Sequence, residues 1–164
     1  MKSYKDLTGD KLEEWFDDLF SNRFKFENYV PSNGQISLHD LDPDQSIGEH
    51  LELDGLLLIN KTCVIFEYTS EASGFKNKIE KFIKNAHIFT SSPLGMREKF
   101  QLCGISGDQL DDFEEVDCWK FVFFNTNENF EVSKTSRKDF PLFTDIQSNL
   151  FLFRPTQLEY CTQL

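Results

Sequence analysis

At 164 residues the chain is long enough to bury one core without disulfide or metal staples, so we read residues 1–164 as a single domain. Hydrophobic residues make up 39% of it and 18 are Phe, which excludes compositional disorder and predicts an aromatic-rich core. The formal net charge of -11 argues against a free-standing, high-affinity nucleic-acid binder, because Lys and Arg neutralising phosphates supply most non-specific affinity.

Cys63, Cys103, Cys118 and Cys161 form no CxxC pair, and most lie in apolar runs, so neither a zinc knuckle nor a disulfide framework is expected. Near Met1 there is no basic segment followed by an apolar one, and no apolar run approaches membrane-spanning length. The expectation is a cytoplasmic protein with no membrane partner.

Leu12, Trp15, Phe16, Leu19 and Phe20 recur at helical spacing, which predicts a first amphipathic helix capped by Thr8 or Asp10 and ending at Ser21-Asn22. Alternating Phe24 and Phe26, leading to Tyr29-Val30, read as a first strand. Pro31-Ser32-Asn33-Gly34 is turn chemistry, and His39 to Gly48 reads as an exposed loop. Leu51 to Ile59 and Thr62 to Thr69 are apolar runs broken by the short Asn60-Lys61-Thr62 turn, which predicts a central antiparallel hairpin covered on both faces.

Ser73-Gly74 precedes Phe75, Ile79, Phe82 and Ile83, a second helical stripe expected to end near Asn85. From Thr90 to Glu115 the chain is polar and punctuated by Pro and Gly, with room for a short helix from Met96 to Leu102. Cys118 to Asn125 reads as a buried strand, and Asn149 to Phe153 as a last strand or helix end. Helix, strand, strand, strand, helix, strand predicts an α/β sandwich with helices against a mixed sheet.

Positive residues concentrate in two places: Lys76, Lys78, Lys81, Lys84, Arg97 and Lys99, then Lys134, Arg137 and Lys138. They form either one basic face on an acidic body or ordinary solvated helix faces.

Alternate strand residues share a face, which aligns His50, Glu52 and Asp54 on one strand and Glu67, Thr69 and Glu71 on the next. Carboxylates emerging from apolar strands need solvent, a basic partner or a hard cation bound through oxygen. Two Mg2+ or Mn2+ ions held there would activate a water and stabilise the leaving oxygen of a phosphodiester.

Asp54-Gly55, an apolar strand, then Glu67-x-Thr69 resembles the PD-(D/E)xK restriction-endonuclease-like superfamily, which pairs an aspartate with an acid-x-lysine strand. The resemblance covers helix one through helix two. It implies an α/β, restriction-endonuclease-like fold, a mixed β-sheet flanked by helices, and phosphodiester hydrolysis with Asp54 and Glu67 as catalytic metal ligands. A glutamate on helix one would complete the set. Glu13 borders the apolar stripe whereas Glu14 points away, although Asp10-x-x-Glu13 also has the form of a capping box.

Thr69 departs from the family where the lysine would stand. Branches such as the viral cap-snatching endonucleases look similar there, using acid-x-threonine and a lysine from the following helix. Lys81 best matches that pattern, whereas Lys78 lies closer to the apolar stripe, so both remain candidates.

The leading expectation is thus a divalent-metal-dependent nuclease domain, with DNA ahead of RNA as its nucleic-acid partner and Mg2+ or Mn2+ as cofactor. Because Tyr160 to Leu164 lacks a charged tail and stops soon after the apolar Phe151 to Phe153 run, we expect an N-terminal module of a larger bacterial or viral protein, with further domains or a partner protein assisting the grip. The alternative is a degenerate nuclease fold serving as a protein-interaction or nucleic-acid-sensing module; a third reading is an acidic adaptor or DNA mimic.

Overall fold

Gly9, with φ of +52°, turns the chain into helix α1 (Asp10–Asp18), which runs on into one widened π-helical turn over Leu19–Arg23. The computed structural model describes residues 4–31, 34–71, 75–127 and 150–153, apart from the side chains of Lys5, Phe75 and Lys76. Leu12, Phe16, Leu19 and Phe20 are buried as their spacing predicts. The cap is the Gly9 carbonyl, which accepts from the Leu12 and Glu13 N–H groups; no side chain caps this helix.

The first strand begins later than the alternation of Phe24 and Phe26 predicts. Lys25 sits at φ +54°, which breaks the extended backbone, so those two rings fold back around Phe20 and β1 starts at Tyr29 (Tyr29–Pro31). β2 (Gln35–Ser37) falls between the expected turn and the expected loop, and α2 (Leu38–Leu41) takes up the start of that loop, its first turn capped by the Ser37 hydroxyl accepting from Asp40 N–H.

The apolar run from Leu51 to Ile59 is two strands rather than one. β3 (His50–Glu52) pairs with β2 in a small separate sheet, and β4 (Gly55–Ile59) belongs to the main sheet. The chain changes sheets at Leu53-Asp54. Gly55 is required there, because a Cβ would come within 2.8 Å of the Tyr29 hydroxyl and 3.0 Å of the Tyr68 hydroxyl. The hairpin to β5 (Thr62–Thr69) pairs Ile59 with Thr62 and places Asn60 at φ +54°, a conformation that Asn tolerates well.

Helix α3 (Phe75–Ser91) is longer than expected, and the polar segment after it holds both α4 (Met96–Leu102) and an unexpected α5 (Asp108–Glu114) that buries Leu110 and Phe113. Arg97 reaches Asp111 at 2.9 Å and Glu114 at 2.6 Å, tying α4 to α5. Lys99 is buried and donates to the Thr90 carbonyl at 2.9 Å, so it closes the end of α3. Neither cation therefore adds to an open basic face. Lys134, Arg137, Lys138 and Cys161 lie outside the described residues.

Strands β6 (Cys118–Asn125) and β7 (Leu150–Phe153) complete a five-stranded sheet in the order β1-β4-β5-β6-β7. The first two pairings are antiparallel, and β5-β6 and β6-β7 are parallel, so the sheet is mixed as expected. On β5, Cys63 and Ile65 face the core built with α3, α4 and α5, whereas Val64, Phe66 and Tyr68 face the aromatic core under α1. Helices thus cover both faces. Among the described residues no helix is long and apolar enough to cross a membrane.

Phe16 is fully buried and stacks on Tyr68 at a centroid distance of 4.0 Å and an interplanar angle of 11°. Phe16→Ala should therefore lower unfolding free energy by about 3–5 kcal/mol in urea titration, while Phe26→Ala, on the exposed end of the same cluster, should lower it by under about 1 kcal/mol.

Candidate functional site

β5 pairs antiparallel with β4 on one edge and parallel with β6 on the other, and its C-terminal end extends past the last β4 partner. A cleft of about 170 Å³ opens there. The first turn of α1 contributes Glu13, the end of β3 Glu52, the β3–β4 link Asp54, the end of β5 and the residues after it the segment Glu67 to Glu71, and α3 contributes Lys78, Lys81 and Asn85. Residues scattered over the first half of the chain thus meet in one place.

Glu67 reaches the cleft by simple alternation, being two residues after the core residue Ile65 on the face that packs on α3. Asp54 arrives differently. It follows the sheet change, is 7% exposed, and accepts from the Tyr68 N–H at 2.7 Å, a bond that anchors it to β5. His50, expected on Asp54's face, is exposed and lies outside the cleft lining. Glu52 nonetheless lines it.

Backbone capping by Gly9 leaves the Glu13 carboxylate unneeded at the helix end, and Glu13 faces the cleft while Glu14 is exposed. Both α3 lysines also line the cleft, although Lys81 lies far from the core stripe in helical phase. Phase decides which side chains are buried. It does not limit a long lysine on a helix flank that passes the open end of a sheet. Lys78 makes an ion pair with Glu71 at 3.6 Å, and its charge acts on Glu13, Asp54 and Glu67 together, whereas Lys81 acts on Glu67.

Burial, followed by repulsion from Glu13 and Glu52, pushes the Asp54 carboxyl up to about 7 against the pull of the Tyr68 N–H and Lys78. Burial and then Asp54 itself push Glu67 up to about 8, with Lys78 and Lys81 opposing. Glu13 is raised too, first by burial and then by Glu52, Asp10 and Asp17. The cleft is a place where negative charge is crowded and poorly solvated.

Among the described residues no three His, Cys, Asp or Glu side chains stand close enough together to grip one ion outright. The donor chemistry still suits a hard cation: Glu13, Asp54 and Glu67 offer carboxylate oxygens, and their proton affinity is raised first by burial and then by neighbouring negative charge. To hold Mg2+ or Mn2+, these three would have to draw closer together than they stand.

At Thr69 the side chain has structural work. It is 4% exposed and its hydroxyl accepts from the Glu71 N–H at 3.3 Å, while its carbonyl accepts from Thr126 N–H at 2.8 Å. Asn125 donates to the Glu71 carbonyl at 3.1 Å and Asn127 to that of Ser70 at 3.3 Å, so the end of β6 clamps the cleft wall. Sequence reasoning missed Asn85 and the wall residue Ser70, and it set Glu71 on the Glu67 face without giving it a role. Ending the helix near Asn85 hid that residue, which α3 carries in its interior on the flank shared with Lys78 and Lys81.

No family model matches this chain, and neither the curated proteins nor the solved structures contain a match to it.

Because the raised carboxyls keep protons in the folded state that the unfolded chain has released, stability should fall as pH rises from about 4 through about 8. Asp54→Asn retains an acceptor for Tyr68 and removes the charge. It should raise unfolding free energy by on the order of 2 kcal/mol at about pH 8 and leave it nearly unchanged at about pH 4, read from thermal melts at both values.

Proposed function

We propose that this chain is a divalent-metal-dependent nuclease domain of restriction-endonuclease-like fold, hydrolysing phosphodiester bonds in nucleic acid, DNA ahead of RNA. The observation that carries the reading is the meeting of Glu13, Asp54 and Glu67 with Lys78 and Lys81 in one cleft. The order of elements supports it: a helix, an antiparallel strand pair bearing the acids, a helix bearing the lysines, then a parallel strand. A cytoplasmic setting and assisting domains or partners belong to the same proposal.

Glu13, Asp54 and Glu67 would hold Mg2+ or Mn2+, which when bound supplies a Lewis acid for the attacking water and the leaving oxygen. Lys78 takes the role that position 69 leaves open: its ammonium, poised among all three acids, orients the water and meets the charge that develops on the phosphoryl oxygens. Glu71 holds Lys78 on the cleft side of α3. Lys81 stands one turn further along and serves the substrate phosphate.

The second reading, a degenerate nuclease fold acting as a protein-interaction or nucleic-acid-sensing module, draws on Thr69, whose hydroxyl is engaged by the backbone where the family pattern has a cation. Plasmid and single-stranded DNA incubated with Mn2+ separate the two. Wild type should cut, Asp54→Ala and Glu67→Ala should each lose roughly a hundredfold or more, Lys78→Ala a similar factor, and Lys81→Ala roughly tenfold. Cleavage equal in wild type and both acid variants would refute the nuclease assignment; absence of cleavage together with no Mn2+ binding by calorimetry would favour the degenerate module.

A further inference from the structure

One polar side chain of the cleft is left out of the catalytic reading. Asn85 lies within the seventeen-residue helix α3 and is 7% exposed, yet among the described residues its amide has no hydrogen-bond partner. Asparagine is an indifferent helix former, and a buried amide without partners is an exception that calls for a physical reason. No side-chain nitrogen or oxygen that is sealed from solvent lacks a partner among the described residues. The amide end of Asn85 therefore opens onto the cleft rather than into the core.

Its position narrows what it meets there. Lys81 precedes it by one helical turn and Lys78 by two, so the three form a row along one flank of α3. The facing wall carries the acids Asp54 and Glu67. A ligand with both a cation-binding part and an anionic part would set the cation against the acids and the anion against this row. A neutral amide extends the row without raising its charge, and an amide N–H donates readily to a phosphate oxygen.

Resting on the nuclease reading, we infer that Asn85 is a substrate-contacting residue that donates its amide N–H to a non-bridging phosphate oxygen of the bound strand, beside Lys81. It acts on the backbone of the nucleic acid rather than on its bases, so the contact carries no sequence preference.

The test is binding of a fluorescein-labelled single-stranded oligonucleotide, followed by anisotropy with Ca2+ as the hard cation, with Mn2+-induced thermal stabilisation measured in parallel. Asn85→Ala should weaken oligonucleotide binding by about fivefold or more, and Asn85→Asp, nearly the same shape but a carboxylate facing phosphate, by more than the Ala variant. The Mn2+-induced rise in melting temperature should be unchanged in Asn85→Ala, and the isosteric Asp variant guards against a mere loss of folding. Wild-type binding with both variants within twofold of it would overturn the Asn85 contact and leave the nuclease reading intact. Loss of the Mn2+ stabilisation in Asn85→Ala would also overturn it, by assigning the amide to the cation's surroundings. A wild type that neither binds nor cuts DNA or RNA would remove the nuclease reading and this inference with it.

Discussion

Tyr68 joins the two halves of the molecule through a single residue. Its backbone N–H holds the Asp54 carboxylate on one side, while its ring stacks on Phe16 of α1 and its hydroxyl lies 3.3 Å from that of Tyr29, which donates to Asp17. Asp17 is one turn beyond Glu13, so the aromatic core fixes the rotation of α1 and with it the direction of the Glu13 carboxylate. The acidic cleft depends on packing from the opposite face of the sheet. Burial raises the Tyr29 and Tyr68 hydroxyls above their ordinary range, so both tyrosines remain protonated.

Much of the frame was legible in the residues because it rests on periodicity. The α1 stripe, the Asn60-Lys61 hairpin and the buried β6 strand all follow from spacing that a core imposes. The failures have physical causes. Phe24 and Phe26 alternate like a strand, but the positive φ at Lys25 turns their backbone aside, and the rings lean on Phe20 while staying exposed. Leu51 to Ile59 splits into two strands in different sheets, and the glycine that the tyrosine hydroxyls require at position 55 is a constraint that no local pattern reveals.

The site was legible to a similar extent, and for a related reason. Asp54 and Glu67 stand out because carboxylates in apolar runs are costly to bury without a use. Asn85 could not stand out, since a lone asparagine near lysines is ordinary in sequence and becomes informative only when its burial is known. The lysine pair shows the limit of phase arguments: a helical wheel describes a helix against a flat core, whereas this helix passes the open end of a sheet.

The clamp from Asn125 and Asn127 onto Glu71 and Ser70 bears on when the site can exist. Its two sides are separated in sequence by all of α3, α4 and α5, so the cleft wall is closed by one of the most distant pairings in the described fold. During synthesis the acids and lysines emerge well before the strand that secures them, and parallel pairing across so long a crossover is slow to form. A half-made chain on the ribosome carries the reactive groups without their enclosure, which delays assembly of the cleft until the domain is nearly complete.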